Sequence, residues 1–93
     1  MSNKILRLYV VGNTPAAIQA ITAIQALLDK RLAGQWHLEL LDVTEAGDLL
    51  EVDRIMAVPA LVRVSPPPKK RVVGDLSDHE KVLLGLDIDP DDA

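Results

Sequence analysis

Few residues in this 93-residue chain are of a type and spacing suited to chemistry, and there is no cysteine among them. Without sulfur there is no disulfide, no thiolate nucleophile and no sulfur-ligated metal. His37 lies in a segment that alternates apolar and polar residues, and His79 lies at a helix start. No third ligand stands at a metal-type spacing from either, so both read as ordinary, partly exposed histidines. Asp75, Asp78 and Glu80 are close enough in sequence to suggest acid–base work. Turn and capping roles explain them more simply, because carboxylates stabilise helix starts. Gly12-Asn13-Thr14-Pro15 could offer free amides to an anion, but it lacks the further glycines or the lysine of a nucleotide loop. These residues predict no catalytic, cofactor or metal site.

Two other features stand out. Lys69-Lys70-Arg71 is a basic triplet in a chain with fourteen acidic and ten basic residues, net charge −4. Such a triplet either keeps an exposed strand edge soluble or forms a rim that meets an acidic partner and steers encounter. Pro59, Pro66, Pro67 and Pro68 surround one short apolar segment. They make either a rigid connection or one that exchanges slowly, since X-Pro bonds isomerise slowly.

The elements that must position these residues follow from periodicity. Ile5 to Val11 is a nearly continuous apolar run ended by Gly12, as in a buried central strand. Thr14 caps a helix whose first position, Pro15, loses no hydrogen bond. Ile18, Ile21, Gln25, Leu28 and Leu32 follow helical spacing, with Ile24 and Leu27 widening the stripe, and Gly34 is the natural stop. Trp36 to Val43 alternates, Trp36, Leu38 and Leu40 pointing one way and His37, Glu39 and Leu41 the other. These three segments have the length of a right-handed βαβ unit with parallel strands. From Thr44 to Met56 the pattern weakens. Thr44 caps a short helix carrying Leu49, Leu50, Val52 and Ile55, with Gly47 loosening its first turns. Ala60 to Val64 and Arg71 to Val73 make a hairpin across the proline run. Ser77 and Glu80 then have capping-box spacing ahead of a helix with Val82, Leu83 and Leu86 on its apolar side. Asp87 to Ala93 is acidic and proline-interrupted, which predicts fraying. The order β-α-β-α-β-β-α is the thioredoxin-like arrangement of a single α/β domain, with its core over 5–87 and a flexible tail over 88–93. The place where a redox thioredoxin carries its cysteine pair holds Gly12 to Ala16, without sulfur.

Composition bounds the rest. Apolar residues make up 48% of the chain, yet Tyr9 and Trp36 are its aromatic residues. The acidic balance and scarcity of aromatics argue against nucleic acid as a partner. Met1-Ser2-Asn3-Lys4 leads straight into a short apolar strand, and no run approaches membrane-spanning length, so a cytoplasmic protein with no membrane partner is expected.

Several segments together resemble the KaiB family: Leu6 to Pro15 with its Gly-Asn-Thr-Pro, Ala57-Val58-Pro59-Ala60-Leu61, Pro66-Pro67-Pro68, Arg71 to Ser77 and Glu80 to Asp87. The resemblance covers about Ile5 to Asp87. It implies a non-enzymatic regulator, without cofactor, that binds a KaiC-type ATPase and modulates its phosphorylation and ATPase cycle in a clock or timer. It also implies a metamorphic chain, thioredoxin-like when bound and rearranged in its C-terminal half when self-associated as a tetramer or dimer. Arg54 falls where the family has a lysine, and Lys70-Arg71 where it has an arginine pair. The partner contacts implied are Arg54, Lys69, Lys70 and Arg71, with Val82 and Leu86 on the last helix. Pro59 matches the proline that becomes cis in the thioredoxin-like state, Pro66, Pro67 and Pro68 match the proline run, and Gly85 and Asp87 match positions that influence the fold equilibrium. Gly85 weakens a helix and Asp87 opposes the macrodipole at its C-terminus, so both would hold back the state that needs the last helix. Ala46-Gly47 departs from the family's Asn-Pro, and His37 and Glu39 face outward where a KaiA-binding edge would lie. Both weigh against KaiA as a partner and towards a KaiA-free system. The alternatives are a thioredoxin-like sensor or adaptor module for a histidine kinase or stress-response pathway, and a glutathione-type enzyme with a non-cysteine helix start.

Overall fold

The apolar run at the start of the chain becomes the strand that everything else is built on. In the computed structural model, which describes residues 4–32 and 34–89, this is β1 (Ile5–Val10). It is followed by α1 (Pro15–Arg31), β2 (His37–Asp42), α2 (Leu49–Val52), β3 (Ala60–Ser65), β4 (Lys70–Val73) and α3 (His79–Gly85). The sheet order is β2-β1-β3-β4. β1 runs parallel to β2, with Leu6 opposite Leu38 and Leu8 opposite Leu40. It runs antiparallel to β3, and β3 to β4. The expected β-α-β-α-β-β-α order is the one observed. The expectation of a flexible tail fails at Ile88, which is buried in the core with its amide donating to the Leu83 carbonyl, and from residue 90 onward it lies outside the described residues.

Alternation along β1 divides its side chains between two clusters. Leu6, Leu8 and Val10 join Leu61, Leu83 and Leu86 under α1 and α3. Tyr9 joins Ala60 and Val62 on the opposite face, covered by α2 and the chain around it. A fully buried Leu such as Leu6 or Leu8 contributes roughly 2 kcal/mol by leaving water.

Helix α1 begins as the sequence predicts. Thr14 accepts from the Ala17 amide, Pro15 takes the first turn, and Gly34 has φ +74 just beyond the C-cap Leu32. Its buried stripe is shifted from the expected one. Ala17, Ala20, Ile24 and Leu27 face the sheet, while Ile18 is 56% exposed and Gln25 is exposed. Alanines let the helix lie close to the strands, and this closeness sets its rotation.

Two further details differ. The second helix is a single turn of four residues that starts after Asp48. Thr44 does not cap it but donates to Asp42 in the turn before it. Nor does α3 start with a capping box. Its N-cap is Asp78, which accepts from the Lys81 amide, while Ser77 binds Asp75 and Glu80 reaches Arg31. Asp75 and Asp78 thus have the turn and cap roles expected of them, while Glu80, expected to complete a capping box, pairs with Arg31.

Gly85 has a reason beyond weak helix propensity. A Cβ placed on it would stand 2.6 Å from Val72 Cγ2. The missing side chain lets α3 close onto β4, so in this conformation Gly85 supports the last helix, contrary to the expectation that it holds it back. Asp87 has a feature that the sequence did not suggest. It has φ +56 at the turn leaving the helix, a left-handed conformation in which a Cβ is strained.

Candidate docking surface

The α2 face of the sheet holds a charge network that the sequence reading missed. Asp53, at the C-cap of α2, has its side chain fully buried. Its Oδ2 accepts from the Tyr9 hydroxyl at 2.5 Å and from Arg7 Nη1 at 2.8 Å. Its Oδ1 accepts from Lys69 Nζ at 2.7 Å. Arg7 Nε donates to Glu39 at 2.8 Å, which extends the network to β2. A helix of one turn does not stand alone, and this carboxylate pins it to β1 and to the entrance of β4. Burial by itself would push the Asp53 carboxyl up, but hydrogen bonds from Lys69, Tyr9 and Arg7 outweigh it and hold the group below its ordinary value. The Tyr9 phenol is pushed up to about 12, first by burial and then by donating to the Asp53 carboxylate. The signal in the sequence was Arg7 and Tyr9, two residues apart on one face of a central strand. Their carboxylate partner comes from far along the chain.

Of the basic positions, Lys69 is therefore engaged, and Arg54 stands beside Asp53 with φ +56. Arg71 lies opposite Val62, which in turn lies opposite Arg7, so its side chain shares this face. Lys70 lies opposite Arg63, on the other face. Arg54, Lys70 and Arg71 are exposed and make none of the ion pairs found among the described residues. Val82 and Leu86 do not belong to this surface. Both are fully buried in the core beneath α3, so neither can touch a partner in this conformation. The exposed apolar side chain on that helix is Leu84, at 82%.

Arg63, also missed, is buried and donates to the carbonyls of Asp87 (3.0 Å) and Pro68 (2.9 Å). It joins the end of α3 to the proline run, where the peptide bonds before Pro66 and Pro68 are cis, as is the one before Pro59 ahead of β3. Along α1, an open groove of about 750 Å³ is lined by Ile18, Gln19, Ala23, Pro59, Leu76 and His79. His79 Nε2 lies 2.9 Å from the Ala23 carbonyl, so this histidine ties α3 to α1 and is less free than a surface histidine. The Gly12 amide is already taken by Asp42 Oδ2 at 3.1 Å, which leaves the β1–α1 junction poorly placed for an outside anion. Among the described residues no group of His, Asp and Glu converges as a metal site.

A family model described as the KaiB domain matches residues 7–88. This chain belongs to the KaiB family. The circadian clock oscillator protein KaiB of Prochlorococcus marinus strain MIT 9312 is 45% identical over 84 residues, covering 90% of this chain and 80% of the relative. KaiB of Thermosynechococcus vestitus strain BP-1 is also 45% identical over 84 residues, covering 90% and 78%. Among solved structures, the N-terminal domain of Synechococcus elongatus SasA superposes with a TM-score of 0.73 at 24% identity, over 90% of this chain and 83% of that one. Oxidised thioredoxin O2 of Arabidopsis thaliana gives 0.71 at 19% identity, over 90% and 75%. At such identities the likeness shows the fold alone. This KaiB-family chain has the thioredoxin-like fold, with Gly12 to Ala16 at the strand-to-helix junction that carries the cysteines in a redox thioredoxin. Among the described residues no helix is long and apolar enough to cross a membrane.

Proposed function

We propose that this KaiB-family protein acts by binding a KaiC-type ATPase and modulating its phosphorylation and ATPase cycle, as a component of a clock or timer and not as an enzyme. The observation that carries this reading is 45% identity to a clock oscillator protein over an alignment covering 90% of the chain. The surface supports it. In an acidic chain, Arg54, Lys70 and Arg71 have no ion-pair partner among the described residues around the end of α2 and the start of β4. Such cations raise the encounter rate with an acidic partner and make it depend on salt. Arg54, Lys70 and Arg71 are the direct contacts, and Lys69 is the residue that fixes them against α2. In this reading binding is coupled to a change of fold in the C-terminal half, with Pro59, Pro66, Pro67, Pro68, Gly85 and Asp87 in the segment that rearranges.

Co-purification with the KaiC-type ATPase under ATP, sampled over increasing incubation times, tests this. A complex should form, and neutralising Arg54, Lys70 and Arg71 together should slow its formation about tenfold or more at low salt. No complex after long incubation would reject the proposal. A complex indifferent to salt and to the three substitutions would reject the contact assignment.

A further inference from the structure

Strand β4 is an outer strand of the sheet. The Gly74 amide donates inward to the Pro59 carbonyl at 3.2 Å. Along an antiparallel strand the amide and carbonyl of successive residues point alternately to the two sides. Val72 and Lys70 therefore face β3, while Arg71 and Val73 turn both backbone groups outward. Their side chains share the α2 face, opposite Val62 and Ala60. Val73 is 47% exposed and Arg71 is exposed. Lys69, held by Asp53 at 2.7 Å, fixes the start of this edge against α2 before any partner arrives. The next two residues, Lys70 and Arg71, make none of the ion pairs found among the described residues.

We propose that the outer edge of β4 takes up an extended acidic segment of a partner protein as a fifth strand. This rests on reading the basic segment as the docking region and adds how it is read. In antiparallel register the segment places an aliphatic side chain opposite Val73 and carboxylates opposite Arg71 and Lys70. The order along it is then Val-Thr-Glu-Glu. Cross-strand pairs of opposite charge favour this register, and outward main-chain groups supply affinity as in other strand additions. The other outer strand, β2, carries no lysine or arginine, and its Glu39 and Asp42 are engaged by Arg7, Thr44 and the Gly12 amide, so it offers the same segment no cation. This contrast selects β4.

The probe is a blocked synthetic peptide with Val-Thr-Glu-Glu at its centre, titrated by NMR against the full chain and two variants. Val73→Pro deletes an outward N–H that the sheet does not use, a place where proline is tolerated. Arg71→Glu reverses the charge and covers the case in which the proline variant misfolds. Binding should shift amides from Lys70 to Gly74, weaken at least tenfold in each folded variant, and vanish when lysines replace the peptide's glutamates. The proposal is overturned if wild type does not bind the peptide, if the folded variants bind it equally, or if the shifts fall on β2. It is also overturned if the edge instead pairs with a second copy, seen as concentration-dependent association that Val73→Pro abolishes. The KaiC-type ATPase is assayed in parallel. Its undiminished binding to Val73→Pro would remove edge pairing and leave the proposed function standing. Its failure to bind wild type would remove the proposed function, while the peptide titration would still read the edge.

Discussion

Asp53 holds a negative charge away from water with donors from β1 and from the entrance to β4. Removing one member of such a buried set strands the others, so Asp53→Asn should lose about 3 kcal/mol. Lys69 is 41% exposed, so solvent screens its pair and Lys69→Met should lose less than about 1 kcal/mol. Urea unfolding of the two variants checks the order, and a larger loss for Lys69→Met would contradict the network as described. The pH dependence follows from the direction of each shift. The Asp53 carboxyl is depressed below its ordinary 3.8 in the folded chain. Its contribution is therefore present above the unfolded-state value and is lost as pH falls through the folded-state value. Wild type should lose more stability than Asp53→Asn as pH drops below about 4. The Tyr9 phenol is displaced the other way, from 10.0 to about 12. Folding favours its protonated form, so that stabilisation is complete below 10 and is lost as pH rises through about 12. Tyr9 is the chain's only tyrosine. Its ultraviolet titration thus reads this site directly, and a midpoint near 10 would show that the phenol is not bound to Asp53.

Helix α3 is where local preference and packing pull apart. Replacing a helical glycine by alanine ordinarily gains about 1 kcal/mol. At Gly85 the added Cβ meets Val72 Cγ2 at 2.6 Å, and overpacking costs about 1–3 kcal/mol. Gly85→Ala should therefore destabilise this fold in the wild-type background and stabilise it when Val72 is alanine, a sign change that thermal unfolding of the double-mutant cycle detects. Asp87→Gly should gain about 0.5–1 kcal/mol, because it relieves the left-handed backbone and removes a negative charge from the helix C-terminus. These cases also mark how far the sequence could be read. The order of elements was legible because each segment carries its own period: the continuous run of β1, the alternation of β2, and Thr14-Pro15 opening α1. The rotation of α1 was not, since size alone favoured Ile18 over Ala17 and only closeness to the sheet reverses that. The basic positions proposed for docking could be read as a charge anomaly in an acidic chain. The Asp53 network and the Arg63 clamp could not, because each depends on which distant segments meet, whereas the burial of Val82 and Leu86 agrees with their place on the apolar side of α3 and not with a contact role.

Across the whole molecule the sheet has unequal cover. A helix of 17 residues and α3 pack on one face, whereas the other is covered by a single turn and irregular chain. Hydrogen exchange should show strong protection of amides in β1, β3 and α1 and markedly faster exchange from Ala46 to Ile55. Asp53→Asn should widen that difference. Equal protection on both faces would mean that the Asp53 network makes up for the thin cover entirely. The same division gives the protein two optical reporters. Trp36 packs on the α1 side and Tyr9 lies on the α2 side, and each is the chain's only residue of its kind. Tryptophan fluorescence and the tyrosine band of near-ultraviolet dichroism therefore follow opposite faces of one sheet. Coincident denaturation curves mark a single cooperative unit, and separated curves mark a molecule that sheds its α2 cover first.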